Sequence, residues 1–338
     1  MHASAAEEAR ARKWHARALG AFSKGKNRSA RASLLHAARA FRAAGDSSNA
    51  ACAYLLAARA AQLDGESDAI GELLKRARLE IRAKAPAQVE APIAFAEAEH
   101  AARTLSIGEA HVAASRAWKA AHRAGNASLA KEVERFEAAL TAPVAQNSAG
   151  ELLDSAAVSD LLRASSQIVV DGHGARVFAA GIHVLDLGTQ PVLVEILSVL
   201  AHTSEPIAAR ALAREVFRIR TAKAVHEARL LVHFRLLRKL ARGRLGELSV
   251  EGGTYRWRSK LPVVVLAPLA PLLEARLESL LARGPAWSFR NLTKLFGGSA
   301  VATKKALKAL SKRRALHAFG AAHDEKWVFG QLDPIQLF

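Results

Sequence analysis

Two kinds of side chain in this sequence have types and spacings that support chemistry: histidines near an acid or near each other, and clusters of cations. His173 follows Asp171 in a glycine-rich turn, and His226 and His233 are seven residues apart on a predicted helix. One histidine beside one acid lacks the remaining ligands of a zinc site, and seven helical residues separate two side chains by about 10.5 Å. Cys52 is the only cysteine. We therefore predict no metal site, no cofactor and no enzymatic activity.

The positive charge of the chain is large and unevenly distributed. The 338 residues hold 49 Lys and Arg against 31 Asp and Glu, a formal net charge of +18. Residues 207–260 contain 14 cations and four acids, and residues 283–314 contain nine cations and no acid. Concentrated positive charge attracts nucleic acid or an acidic membrane surface, and the motifs below favour nucleic acid. A solvated basic surface without a partner is the alternative.

Residues 1–142 are predicted to form an α-helical array. Apolar residues recur every three or four positions, as at Leu34, Ala38 and Phe41, and Gly, Asp or Pro breaks separate about seven helices of roughly 14–20 residues. The stretch HAARAFRAAGDSSNAACAYLLAARA resembles a tetratricopeptide unit, and SRAWKAAHRAGNASLAKEVERF is similar to it. This resemblance implies a groove for a partner helix or peptide, or a homodimer contact. A generic all-α bundle is the alternative.

A segment of alternating apolar residues follows a turn-rich linker with a short helix at 143–166. Short antiparallel strands are predicted at 168–170, 176–178 and 182–187. The DGHG turn between the first two strands is expected to take positive φ angles at Gly172 and Gly174.

Three amphipathic helices and a hairpin come next, within a predicted domain at 167–260. In order they are PVLVEILSVLAH, PIAARALAREVF, TAKAVHEARLLVHFRLLRKLARG and ELSVEGGTYRWRSK. Residues 168–258 resemble the winged-helix DNA-binding domain of OmpR-type response regulators and of the related antibiotic-regulatory activators. The resemblance rests on VLDL before the first helix, AARALAREVF in the second, HFRLLRKL in the third and EGGTYRW in the hairpin. It implies that the third helix enters the major groove of duplex DNA.

Periodicity divides this third helix into faces. The side chains expected to pack inward are Val225, Ala228, Val232 and Leu236. The side chains that the resemblance places toward the major groove are Lys223, His226, Arg229 and His233. Those expected to meet phosphates are Arg235, Arg238, Lys239 and Arg242, and the hairpin residues expected near the DNA backbone or minor groove are Arg256, Arg258 and Lys260. A solvated surface is the alternative for this basic face.

Residues 261–270 are predicted to be a proline-rich connector with an edge strand at 263–266. Residues 271–338 then contain LLEARLESLLA, FRNLTKLFG, SAVATKKALKALSKR, ALHAF and KWVFG, again three helices and a hairpin. This segment resembles the small winged-helix domains of bacterial repressors, whose third helix has a regularly spaced inward set. The matching inward positions are Ser299, Thr303, Leu307 and Leu310.

The same spacing leaves Ala300 and four further residues of this third helix pointing outward. The side chains expected to contact DNA from this second domain are Arg290, Lys294, Val301, Lys304, Lys305, Lys308, Lys312 and Arg313. Five of the 16 lysines lie between Lys294 and Lys312, which an arginine-rich composition does not explain. Val301 is expected to touch a thymine methyl group. Docking of a protein on this domain is the alternative.

We therefore expect a mainly α fold with small β-hairpins: a tetratricopeptide-like array followed by two winged-helix domains. The expected function is a transcriptional regulator that binds double-stranded DNA, with the array for a signal, a partner or dimerisation. The alternatives are a protein-interaction scaffold and a sequence-independent, nucleoid-type DNA-binding protein. The start of the chain has no signal-peptide pattern, and the longest apolar stretch, 261–273, is broken by three prolines. We expect a cytoplasmic, nucleoid-associated protein without a membrane partner.

Overall fold

The computed structural model describes residues 2–81, 86–203, 205–269, 272–283, 286–296, 300–313, 316–319 and 326–329. Over these residues the chain is mainly helical with small β-sheets, as expected from the sequence. The chain divides into two units, one of residues 1–141 with 281–338 and one of residues 142–280. None of the described helices is long and apolar enough to cross a bilayer.

The helices of the array are α1 (His2–Phe22), α2 (Asn27–Ala43), α3 (Ser47–Asp64), α4 (Ser67–Glu80), α5 (Ala87–Arg103), α6 (Ile107–Arg123) and α7 (Ala127–Thr141). Those that follow are α8 (Ser155–Arg163), α9 (Pro191–Ala201), α10 (Ala209–Phe217), α11 (Ala224–Ala241), α12 (Leu272–Arg283), α13 (Phe289–Phe296) and α14 (Ala300–Arg313).

The strands before α9 are β1 (Ala145–Gln146), β2 (Leu152–Leu153), β3 (Ile168–Asp171), β4 (Arg176–Ala179) and β5 (Ile182–Asp186). The later strands are β6 (Ile207–Ala208), β7 (Glu247–Glu251), β8 (Thr254–Arg258), β9 (Val263–Pro268), β10 (Trp287–Ser288), β11 (Leu316–Phe319) and β12 (Lys326–Phe329).

The seven helices predicted over residues 1–142 are confirmed as α1–α7, and each packs mainly against its neighbours in sequence. Two of the turns between these helices have the same conformation and the same kind of cap. Gly45 and Gly125 take positive φ angles at the end of one helix, and the next residue caps the following helix. Asp46 accepts from Asn49 N at 3.0 Å, and Asn126 accepts from Leu129 N at 3.0 Å. Alanine fills much of the core, so the helices approach closely.

The second unit contains a six-stranded sheet in the order β2-β1-β9-β3-β4-β5. The predicted antiparallel pairing of β3, β4 and β5 is confirmed. The strand predicted at 263–266 is confirmed as β9, but its predicted edge position is wrong, because β9 lies between β1 and β3 and pairs in parallel with β3. Pro262 precedes this strand and Pro268 ends it, so no proline interrupts the ladder. Residues 143–166, predicted as a linker with a short helix, contain α8 and also β1 and β2.

The turn between β3 and β4 differs from the prediction for its glycines. Gly172 and Gly174 do not have positive φ angles; Ala175 does, at 50°. The glycines are required instead by close approach, since a Cβ on Gly172 would lie 2.7 Å from the Leu266 carbonyl oxygen. Buried Asp171 organises the turn by accepting from Gly174 N at 2.7 Å and pairing with Arg176 at 3.0 Å.

A second, three-stranded sheet of the same unit has the antiparallel order β6-β8-β7. The predicted two-residue turn between β7 and β8 is confirmed, with positive φ angles at Gly252 and Gly253. Tyr255 and Trp257 of β8 face the core. There the Tyr255 ring meets Phe234 edge to face at 4.8 Å, and Trp257 Nε1 donates to the Leu245 carbonyl at 2.7 Å. This core joins β8 to α9, α10 and α11.

The C-terminal segment has a third sheet with the antiparallel order β10-β12-β11 beside α13 and α14. Within the first unit, Ala286 N donates to the Leu63 carbonyl of α3 at 3.1 Å. The predicted turn at 320–325 and the end of the chain from 330 lie outside the described residues.

Candidate nucleic-acid interface

Helix α11 buries a different face from the predicted one. Its buried side chains are Leu230, Phe234, Leu237 and Ala241, each at most 2% exposed. The predicted inward set is wrong for Val225, Ala228 and Val232, which are exposed, whereas Leu236 is half-buried and packs against the core as predicted. The helix carries two apolar stripes, and the core accepts the one with the larger Leu and Phe side chains because it removes more apolar area from water.

The outward face of α11 therefore presents the predicted inward valines. Val225 is 66% exposed and Val232 is 63% exposed. Arg229, Arg235 and Lys239 are exposed on and beside the same face. The surface combines apolar and cationic side chains rather than the charged stripe expected from the sequence.

The four side chains predicted to face the major groove do not form one exposed stripe. Lys223 and Arg229 are exposed, whereas His226 and His233 are half-buried toward the core side of α11. His226 Nδ1 accepts from Lys223 N at 3.0 Å and so caps the helix. Burial, and then the charge of Arg229, lower the pKa of His233, so this side chain is neutral at pH 7. The Arg229 guanidinium lies over the Phe217 ring at 5.0 Å.

The predicted phosphate-contacting residues lie at the surface. Arg235, Arg238, Lys239 and Arg242 are all exposed. On β8, Arg258 is exposed and Arg256 is half-buried on the side opposite Tyr255 and Trp257, and Lys260 is exposed just beyond the strand. None of these seven cations forms an ion pair with a described residue. The four cations of α11 are therefore unpaired, whereas Arg258 lies opposite Glu247 in the β7–β8 ladder.

The sequence prediction omitted a further group of cations at the turn between α10 and α11. Arg214, Arg218 and Arg220 line a shallow surface pocket of about 490 Å³ together with Glu215 and Ile219. Arg218 ends α10 in a left-handed conformation with φ of 54°, which is unfavourable for a residue with a Cβ. The repeated arginines from 210 to 220 are the signal that would have included this group. Two of these arginines have acidic partners, since Arg210 pairs with Glu227 at 2.8 Å and Arg218 pairs with Glu195 at 3.8 Å.

Helix α14 presents the face predicted for it. Thr303, Leu307 and Leu310 are buried, as expected, and Ser299 lies outside the described residues. Lys304, Lys305, Lys308, Lys312, Ala300 and Val301 are exposed, the last at 78%. Arg290 and Lys294 of α13 are exposed too. The side chain of Arg313 is not among those that the structure describes. The outward face of α14 is thus mainly lysine.

The array has a surface pocket of its own, of about 550 Å³. It is lined by Glu90, Arg116, Trp118, Lys119, His122 and Arg123. Its two arginines are compensated by acids, since Arg116 pairs with Glu97 at 2.6 Å and Arg123 pairs with Glu90 at 2.7 Å. The pocket therefore carries less free positive charge than its composition suggests.

The described residues offer no metal site, since no group of three or more His, Cys, Asp or Glu among them is placed to hold an ion. Burial, followed by the charge of Asp46, raises the pKa of the Cys52 thiol to about 12, so this cysteine stays protonated. Comparison with protein-family models, curated proteins and solved structures gives no match.

Proposed function

We propose that this protein is a transcriptional regulator that binds duplex DNA through two winged-helix domains. In the first, α11 enters the major groove and the β7–β8 hairpin is the wing. In the second, α14 and the β11–β12 hairpin take the same roles. The α1–α7 array, with tetratricopeptide-like hairpins, receives a protein or peptide partner or forms a homodimer contact.

The order of the elements supports this proposal. The antiparallel strands β3–β5 precede α9, α10 and α11, and the β7–β8 hairpin follows and pairs with the short β6. In a winged helix the third helix binds the major groove and the hairpin lies beside it. In the C-terminal segment, β10 precedes α13 and α14, and β11–β12 completes the sheet.

One observation carries the proposal: the exposed cations of α11 and α14 have no acidic partner among the described residues, and they lie on the two helices that would enter the major groove. Uncompensated cations on one helix face neutralise phosphates and release counterions. Near the start of α11, Arg214 and Arg220 add to this charge, whereas Arg218 of the same pocket pairs with Glu195 at 3.8 Å.

The test is a titration of a fluorescent random-sequence duplex with the full chain at several salt concentrations. We expect the logarithm of the affinity to fall linearly with the logarithm of the salt concentration, with a slope of about −5 or steeper for six or more phosphate contacts. Absence of duplex binding at low salt would overturn the proposal.

A protein-interaction scaffold is the second candidate, and the exposed valines of α11 favour it. Exposed apolar side chains on one helix face suit a protein contact. This candidate predicts a tight protein partner and no protected region on DNA. Sequence-independent binding is the third, favoured by the lysine face of α14, and predicts equal affinity for all duplexes.

A further inference from the structure

Three outward side chains of α11, Val225, Ala228 and Val232, form what we name the apolar stripe. Their spacing of three and four residues places them on one face, opposite Leu230 and Phe234. Both valines are more than 60% exposed, so the fold of the unit does not use them. The stripe is about 10.5 Å long, which corresponds to about three base-pair steps.

Cations border the apolar stripe on both sides. Arg229 lies on one side, where its guanidinium rests on the Phe217 ring, and Arg235 lies on the other. Lys239 continues the same face toward the end of the helix. The nearest acid along the helix, Glu227, is half-buried and accepts from Arg210 at 2.8 Å. A cationic border matches a polyanion, so the charge favours duplex DNA as the occupant over an apolar protein surface.

Valine and alanine side chains have no hydrogen-bonding groups, so they cannot recognise the polar edge of a base. Within the major groove, the one apolar group among the four bases is the C5 methyl of thymine. The described outward face has no Asn, Gln, Asp or Glu beside the stripe to select adenine or cytosine. We propose that α11 recognises thymine methyl groups through Val225, Ala228 and Val232, an inference that rests on the proposed function.

The test compares two duplexes that differ in the methyl group alone. The full chain is titrated with a short alternating A·T duplex and with the same duplex carrying deoxyuridine in place of thymidine. We expect the thymine duplex to bind about fourfold more tightly for each methyl group in contact, the effect of burying one methyl-sized group. An alternating G·C duplex is likewise expected to bind more tightly when its cytosines carry a 5-methyl group.

The matched variants assign the effect to the stripe. Val225→Ala combined with Val232→Ala is expected to reduce the preference for the thymine duplex over the uracil duplex, with Ala228 keeping its own contact, and to leave the affinity for the uracil duplex unchanged. Val112→Ala, which removes a 65% exposed valine from α6, is the control and should alter neither affinity. Alanine is a stronger helix former than valine, so the variants retain α11.

The outcomes separate the two proposals. If wild-type protein binds neither duplex, the proposed function and the methyl recognition fail together. If it binds both equally, DNA binding stands and methyl recognition is overturned. Loss of self-association in the valine variant, without discrimination between the duplexes, would also overturn it and make this face a contact between two copies of the chain.

Discussion

The α1–α7 array and the helices proposed to meet DNA use their cations in opposite ways. In the array, arginines pair with acids on neighbouring helices, as in Arg42–Glu80, Arg59–Glu99 and Arg123–Glu90. On α11 and α14, the exposed cations have no acid partner among the described residues. The two regions therefore differ less in how many lysines and arginines they contain than in whether each cation lies close to a carboxylate.

We infer from this difference that the paired cations stabilise the array and that the unpaired cations bind a polyanion. A cation paired with a partly buried carboxylate stabilises the helix contact, whereas an unpaired exposed cation leaves its charge available to a polyanion. Substitutions in the array should therefore change the free energy of unfolding, and substitutions on α11 and α14 should change DNA affinity.

The largest effect is expected for Glu99→Gln in the array. Glu99 pairs with Arg59 and lies 4.0 Å from Arg103, and the side chains of all three are at least four-fifths buried. Removal of the carboxylate charge leaves buried guanidinium groups unpaired and should lower the free energy of unfolding by about 3 kcal/mol. Urea denaturation followed by circular dichroism measures this, and duplex affinity should not change.

The control is Glu8→Gln, which breaks the exposed pair of Glu8 with Arg12 at 2.8 Å. Its effect on the free energy of unfolding should stay below about 0.5 kcal/mol. Equal effects of the two substitutions would contradict the stabilising role assigned to the buried pair.

The next effect is expected on α11. Substitution of Arg235, Arg238 and Lys239 by Ala should weaken duplex binding by about a hundredfold near physiological salt, because three phosphate contacts are lost. The slope of log affinity against log salt should become less steep by about 2.7. Fluorescence anisotropy with a labelled duplex measures both quantities.

A charge-matched control comes from the array. Substitution of the exposed lysines Lys13, Lys75 and Lys131 by Ala removes the same charge but should leave the salt slope unchanged. If both triple variants weaken binding equally, net charge rather than the α11 surface determines affinity, and the comparison between the regions fails.

On α14, Lys305→Ala combined with Lys308→Ala should weaken binding by about thirtyfold, since two phosphate contacts are removed. The loss should be the same for every duplex sequence, because lysine on a phosphate carries no base information. Titration of two duplexes of different sequence checks this. A change in preference between them would show that α14 contributes to base recognition.

The smallest effect is a pH dependence of array stability. His15 is buried, its Nε2 has no partner among the described residues, and burial lowers its pKa. Below the ordinary histidine pKa of 6.5, the unfolded state therefore binds more protons at His15 than the folded state does. The free energy of unfolding should accordingly be highest above pH 6.5 and should decrease as the pH falls below that value. His15→Leu should reduce the fall in thermal midpoint on acidification, measured by thermal denaturation over a series of pH values.

Sequence patterns within a few residues predict the helices and turns of the array well. They do not predict features that depend on contacts between residues far apart in the chain. Gly45–Asp46 and Gly125–Asn126 mark helix ends because the turn and the cap lie within four residues of each other. The position of β9 beside β3 depends on pairing across about 95 residues, which a sequence pattern does not contain.

The faces of α11 were predicted incorrectly for a related reason. Two apolar stripes satisfy the helical period, and periodicity alone does not say which one meets the core. The stripe with Leu230 and Phe234 is buried because it offers more apolar volume than the one with Val225 and Ala228. On α14 one side of the helix is mostly lysine, so the sequence offers only one apolar face to the core, and the structure buries that face.

The central claim is that α11 recognises the sequence of duplex DNA. The most direct test is selection of random duplexes by the full chain near physiological salt, followed by sequencing of the bound fraction. We predict enrichment of one motif with thymines over about three adjacent base pairs, and weaker enrichment of that motif when Val225 and Val232 are replaced by Ala. A bound fraction with no enriched motif, or no bound fraction at all, would contradict it.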